Sequence, residues 1–146
     1  MIRPRGFSLI ELMVVLAILG FAYTLVPPLF SGAREGAELK GATRQLAAGL
    51  RKARNYAVTK RTEAVFTLNV EERHFSLSGD ARTYRLPREV QLKLVTAQRE
   101  VVNDKLAAIR FYADGSSNGG RITLGSGERS FEIDVNWLTG RVAILE

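Results

Sequence analysis

Residues 7–30 read FSLIELMVVLAILGFAYTLVPPLF, an apolar run broken by a single charge, Glu11. About 20 apolar residues wound as a helix cross the hydrocarbon core of a bilayer, so this stretch reads as a membrane segment. Arg3 and Arg5 precede it. Positive residues flanking a span stay cytoplasmic, which places the chain beyond the run on the far side of the membrane. A secretory signal fits poorly, because its apolar core is roughly 7–15 residues long and a small-residue cleavage site follows it. Here the run is longer and ends in Pro27-Pro28-Leu29-Phe30. A plain anchor leaves Glu11 without a reason, since a carboxylate at the bilayer centre costs about 2.5–3.5 kcal/mol and needs a partner. Glu11 is therefore a functional candidate. Pro27 and Pro28 cannot donate to a helix ladder, so a bend is expected there, either as the end of the span or as a locally melted stretch.

Working outward past Ser31-Gly32, Leu39, Ala42, Leu46, Leu50, Ala53 and Ala57 recur every three or four residues. That spacing predicts an amphipathic stem helix running to about Thr59. Its polar side carries Arg44, Arg51, Lys52, Arg54, Lys60 and Arg61. Anionic headgroups, an acidic neighbouring subunit, DNA and plain solvent are all chemically suitable surroundings for such a face. The formal charge of +6 is concentrated here: residues 1–33 carry +1, residues 34–62 carry +6 and residues 63–146 carry −1. A basic footprint has meaning only where it clusters, so the C-terminal half offers no nucleic-acid signal of its own.

Beyond Glu63 the pattern changes to short β-like runs at 64–70, 74–77, 83–86, 90–95, 108–112, 121–124, 130–135 and 141–145. Phe131, Ile133 and Val135 alternate with Glu132 and Asp134, which gives one buried and one wet face. The fold class expected is α+β: a long N-terminal membrane and stem helix packed against a small antiparallel β-rich head. The segments at 114–120 and 125–127 are glycine-rich but lack the lysine or third glycine of phosphate-binding loops, and both read as hairpin turns. The first also lacks the spaced carboxylates of a calcium loop.

No cofactor, metal set or catalytic constellation emerges. Cysteine is absent, which removes thiol chemistry and disulfides. His74 is the one histidine, at an expected hairpin tip beside Glu71 and Glu72, and adjacent carboxylates on extended backbone face opposite ways. Trp137 is expected to be a core anchor. The chain does not read as an enzyme.

Arg5-Gly6-Phe7-Ser8-Leu9-Ile10-Glu11-Leu12 closely resembles the cleavage and methylation signature of type IV prepilins and type II secretion pseudopilins. The resemblance implies that prepilin peptidase cuts between Gly6 and Phe7 on the cytoplasmic side and methylates Phe7. It also gives Glu11 a partner: its carboxylate would neutralise the new α-amino group of a neighbouring subunit, two groups that are each costly in lipid. Leu9, Leu12, Val15, Leu16 and Leu19 would supply apolar packing both in lipid and in a filament. The implied organisation is a leader at 1–6, a transmembrane and filament-core helix at 7–30, an amphipathic stem at 31–62 and a periplasmic head at 63–146.

The head resembles the GspH/FimT family of minor pseudopilins and minor pilins. The residues that carry this are Leu50-Arg51-Lys52-Ala53-Arg54-Asn55-Tyr56-Ala57, the segment from Phe111 to Gly120 and Thr139-Gly140-Arg141-Val142. The pseudopilin H branch implies an inner-membrane subunit with a cytoplasmic N-terminus, placed near the tip of a type II secretion pseudopilus. There its partners would be other major and minor pseudopilins and the inner-membrane assembly platform. The FimT branch implies a minor type IV pilin, in some members one that binds DNA through a Gly-Arg followed by a second nearby basic residue. Arg141 is the matching DNA-contact candidate, but Val142-Ala143-Ile144-Leu145-Glu146 follows it and the second charge is missing. That gap and the near-neutral head favour the secretion branch and disfavour nucleic acid.

Overall fold

The computed structural model describes residues 7–95, 101–103 and 106–146, with side chains described at 7–24, 35–93 and 106–146. Gly6 and the leader lie outside the described residues, as do the side chains of Pro27 and Pro28. The chain divides into two compact units, Met1–Arg34 and Glu35–Glu146.

Helix α1 (Leu9–Lys60) contributes to both. It continues through Pro27-Pro28, where the sequence predicted a bend or a melted stretch. A proline withdraws only the bond its own nitrogen would donate, so two prolines leave helical dihedrals available on either side.

Among the described residues of the second unit, nine strands form two antiparallel sheets. The first has five strands in the order β3-β2-β1-β6-β5 and the second has four in the order β4-β7-β8-β9. Their bounds are β1 (Ala64–Asn69), β2 (His74–Leu77), β3 (Asp80–Arg85), β4 (Gln91–Val95), β5 (Val101–Asn103), β6 (Leu106–Phe111), β7 (Gly120–Ser126), β8 (Arg129–Val135) and β9 (Val142–Leu145). The eight expected β runs all correspond to strands. β5 was not foreseen; three residues are too few to show a period of two.

The core is where the stem half of α1 meets both sheets. Leu39, Leu46, Leu50, Ala53 and Ala57 are fully buried in one cluster with Phe66, Leu68, Phe75 and Ile109 of the first sheet and Ile122, Leu124, Ile133 and Val135 of the second. Full burial of each large aliphatic side chain contributes about 1.5–3 kcal/mol. Phe75 stacks between Phe66 and Tyr84, with ring centroids 5.0 and 4.9 Å away. Gly49 lets the helix come down onto these rings, since a Cβ there would lie 2.6 Å from Phe75 Cε2.

Both glycine-rich segments form antiparallel turns. β7 and β8 form the predicted hairpin around Gly127, with Ser126 opposite Arg129. The glycine-rich segment after Phe111 also turns back on itself, with Phe111 bridged antiparallel to Ser117 and the Tyr112 N–H donating to the Ser116 carbonyl at 2.9 Å, and from there it carries the chain from the first sheet to the second. Its glycines signal a change of direction but not which sheet receives the chain. Asp114 accepts from the Ser116 backbone and hydroxyl at 2.9 and 2.6 Å, and Ser117 Oγ donates to the Asn136 carbonyl at 3.1 Å, which ties this crossover to the end of β8.

Trp137 is 65% exposed and is not a core anchor. It sits in the loop after β8, where the two-residue alternation that buries Ile133 and Val135 has ended. His74 opens β2, half-buried, with Nδ1 3.4 Å from Glu72 Oε2.

Candidate functional site

The N-terminal part of α1 is built to be covered by something outside the subunit. Ser8 immediately precedes the helix and accepts from the Leu12 N–H at 3.1 Å through its carbonyl. Glu11 lies in the first turn, three residues after Ser8, the spacing of a capping box. There a carboxylate also complements the positive end of the helix dipole. So Glu11 has a local electrostatic reason for its position in a single subunit, and the Ser8-to-Glu11 spacing is the sequence signal that carries it. Every described side chain from Phe7 to Thr24 is exposed, with Phe7 at 83% and Leu16 at 60%. A helix apolar on all sides belongs in lipid or in a protein interior. Among the described residues no helix is long and apolar enough to cross a membrane. The apolar run in the sequence, however, extends past Thr24 into positions 25–30, whose side chains are not described.

Three residues of the stem's basic face, Arg51, Lys52 and Arg54, are engaged by the head. Lys52 Nζ donates to Asp80 Oδ2 at 2.5 Å, and the same carboxylate accepts from Tyr84 Oη at 2.7 Å and Arg82 Nε at 3.2 Å. These bonds, Lys52 first, hold the Asp80 carboxyl well below the usual carboxylate range, and Asp80 in turn raises Lys52. Asp80 begins edge strand β3, so the cluster pins that edge to the helix. No sequence motif marked Asp80; an acid next to Gly79 reads as an ordinary turn residue.

Farther along, Arg54 Nε donates to the carbonyls of Gly115 and Thr139, both at 3.1 Å, and Arg51 Nη2 donates to the Val142 carbonyl at 3.3 Å. Gly140 makes this approach feasible: its φ is +61°, and a Cβ would collide with the Gly115 carbonyl and Arg54. The result is an open groove of about 490 Å³ lined by Arg51, Arg54, Asn55, Thr139, Gly140, Arg141 and Val142. Arg141 thus gains cationic neighbours from the helix that the local sequence did not supply. Two of the three arginines already hold carbonyls, however. Among the described residues no group of His, Cys, Asp or Glu is arranged to hold a metal ion.

The profile described as type II transport protein GspH matches residues 42–140, and that of the prokaryotic N-terminal methylation motif matches residues 1–22. Over 138 residues the chain is 32% identical to type II secretion system protein H of Xanthomonas campestris pv. campestris, a match covering 94% of this chain and 81% of that one. Type IV minor pilin FimU of Pseudomonas aeruginosa superposes with a TM-score of 0.59 at 17% identity, over 77% of this chain and 91% of that one. Minor pseudopilin EpsH from the Type 2 Secretion System of Vibrio cholerae also gives 0.59, at 10% identity, over 74% and 96%. These two likenesses establish the pilin-like fold; their equal scores do not separate secretion from pilus subunits.

Proposed function

The chain belongs to the GspH family of type II transport proteins, and from that premise we propose that it is a minor pseudopilin, a structural subunit at or near the tip of a type II secretion pseudopilus. The methylation motif and the family mark it as a membrane-anchored, processed, pilin-like protein. The observation that carries the reading is the pairing of an exposed apolar helix, with one acid in its first turn, with a compact head.

The mechanism is one of association. The apolar helix stores the subunit in the inner membrane, N-terminus in the cytoplasm and head in the periplasm. Prepilin peptidase cuts between Gly6 and Phe7, and the methylated Phe7 amine meets Glu11 of a neighbour. Each group neutralises the other where water is excluded, so the pair registers one subunit on the next. Pro27-Pro28, which deprives the ladder of two donors, is the place for the helix to yield during packing. Leaving the membrane strands no apolar surface, because neighbouring helices replace lipid. Other major and minor pseudopilins and the inner-membrane platform are the partners of this cycle, which needs no cofactor.

The second reading, a FimT/FimU-like minor type IV pilin in pilus assembly or DNA uptake, draws on the FimU likeness. Deleting the gene and restoring it in the native host separates the two. The secretion reading predicts that deletion strands folded exoproteins in the periplasm, that the wild-type chain restores export and that Gly6→Glu leaves an unprocessed precursor that does not. Intact secretion with lost DNA uptake or pilus function would establish the second reading instead.

A further inference from the structure

Outside the N-terminal helix, Trp137 and Leu138 are the one adjacent pair of large apolar side chains that the described residues leave exposed, at 65% and 63%. Single exposed apolar residues are ordinary, but two at the tip of a tightly bonded loop are not. Asn136 Oδ1 accepts from the backbone N–H groups of Leu138 and Thr139, both at 3.0 Å, and from the Thr139 hydroxyl at 3.1 Å. The Asn136 carbonyl accepts from Gly140 N at 2.8 Å, and Asn136 N donates to the Arg141 carbonyl at 3.0 Å. From outside the loop, Ser117 N donates to the Trp137 carbonyl at 2.8 Å and Arg54 Nε to that of Thr139. The backbone that presents the two side chains is therefore fixed before any partner arrives, which removes the ordering cost that usually weakens loop contacts.

The base of the same loop is cationic. It forms one wall of the arginine groove, whose lining contains no carboxylate. Arg51 and Arg54 hold main-chain carbonyls, whereas the Arg141 guanidinium is exposed and has no hydrogen-bond or ion-pair partner among the described residues. A tryptophan with one free arginine four residues on is a hot-spot composition for protein recognition, and Leu138 adds apolar area beside it. Nucleic acid is a poorer fit: Trp137 is a single stacking ring where a strand needs successive ones, and one free guanidinium is few for a phosphate backbone.

We propose that the 136–141 loop is a docking prong for the head of a different pilin-like subunit, with Trp137 and Leu138 filling an apolar socket and Arg141 meeting a carboxylate at its rim. Charge complementarity requires an acidic rim on that partner head, since the groove lining carries three arginines and no carboxylate. This rests on the filament-subunit reading.

The test is photocrosslinking of the full-length chain in its native host, with p-benzoylphenylalanine at position 138 and, as a control, at position 82 on strand β3. The expected result is a light-dependent adduct from position 138 with another pseudopilin of the same system, absent from position 82. Arg141→Glu should reduce it about tenfold while leaving the unfolding midpoint in place. Leu138→Ser and Trp137→Ala should impair export, and Trp137→Phe should restore it. An adduct with a second copy of this chain, with nucleic acid or with phospholipid would overturn the proposal, as would no adduct in cells that export normally. Unchanged export in the gene-deletion strain would instead overturn the secretion reading, whatever the adduct.

Discussion

The two halves of α1 differ in composition and, in step with it, in what covers them. From Leu9 to Thr24 the helix is apolar on every side, and all its described side chains are exposed. From Leu39 to Ala57 apolar residues form a stripe, and that stripe is buried under two sheets. A stripe matches a core that lies on one side of the helix; a full apolar circumference matches surroundings on all sides. The first half therefore depends on lipid or neighbouring subunits, and the second on its own head. Substitutions in one half should leave the property of the other unchanged.

The sharpest break should come at Glu11. Glu11→Ala should still be cleaved and membrane-bound, should lower recovery in assembled pseudopili by about tenfold or more if each lost buried pair leaves an uncompensated amine, and should not shift head unfolding. Normal incorporation would sink the role given to Glu11. In the other half, Leu50→Ala should destabilise the head by about 2–5 kcal/mol in urea unfolding, because its side chain is fully buried against both sheets. A loss below about 1 kcal/mol would mean the stem is not the keel of the core.

A smaller and pH-dependent effect is expected from Asp80. Its folded-state pKa lies below its unfolded value, so its contribution is complete above the ordinary carboxylate range near 4 and is lost as the pH falls through and below it. Asp80→Asn should lower Tm near neutrality, and the gap from wild type should close on acidification. A gap that stays constant down to about pH 2.5 would show that the Lys52–Asp80 contact does not hold the edge strand in place.

Much of this division was legible in the sequence. The three- and four-residue spacing from Leu39 to Ala57 named the buried stripe position by position, and alternation at Phe131, Ile133 and Val135 named the inner face of β8. What escaped was set by contacts between distant segments. The Lys52–Asp80 pair spans 28 residues and Arg54–Gly115 spans 61, so neither leaves a local pattern. Trp137 was assigned by residue type to the core, yet its place on a loop after the alternation stops puts it in solvent. No second positive charge follows Arg141 along the chain, and its cationic neighbours in space are Arg51 and Arg54 of the helix, which line the same groove and hold main-chain carbonyls. Gly6, the residue proposed to set the cleavage point, was legible only through resemblance, because a cleavage site is a matter of recognition by another enzyme and not of folding.

Because the chain has no cysteine, single cysteines can report on each half without background. The most direct test is oxidative crosslinking in assembled pseudopili of chains with cysteine at Leu16 or at Leu50, the former paired with cysteine on the adjoining subunit's helix. Crosslinking is expected from position 16, lost with Glu11→Ala, and none is expected from position 50 until the head unfolds. Crosslinking from position 50 in the folded assembly, or none from position 16, would contradict the assignment of one helix to two different surroundings.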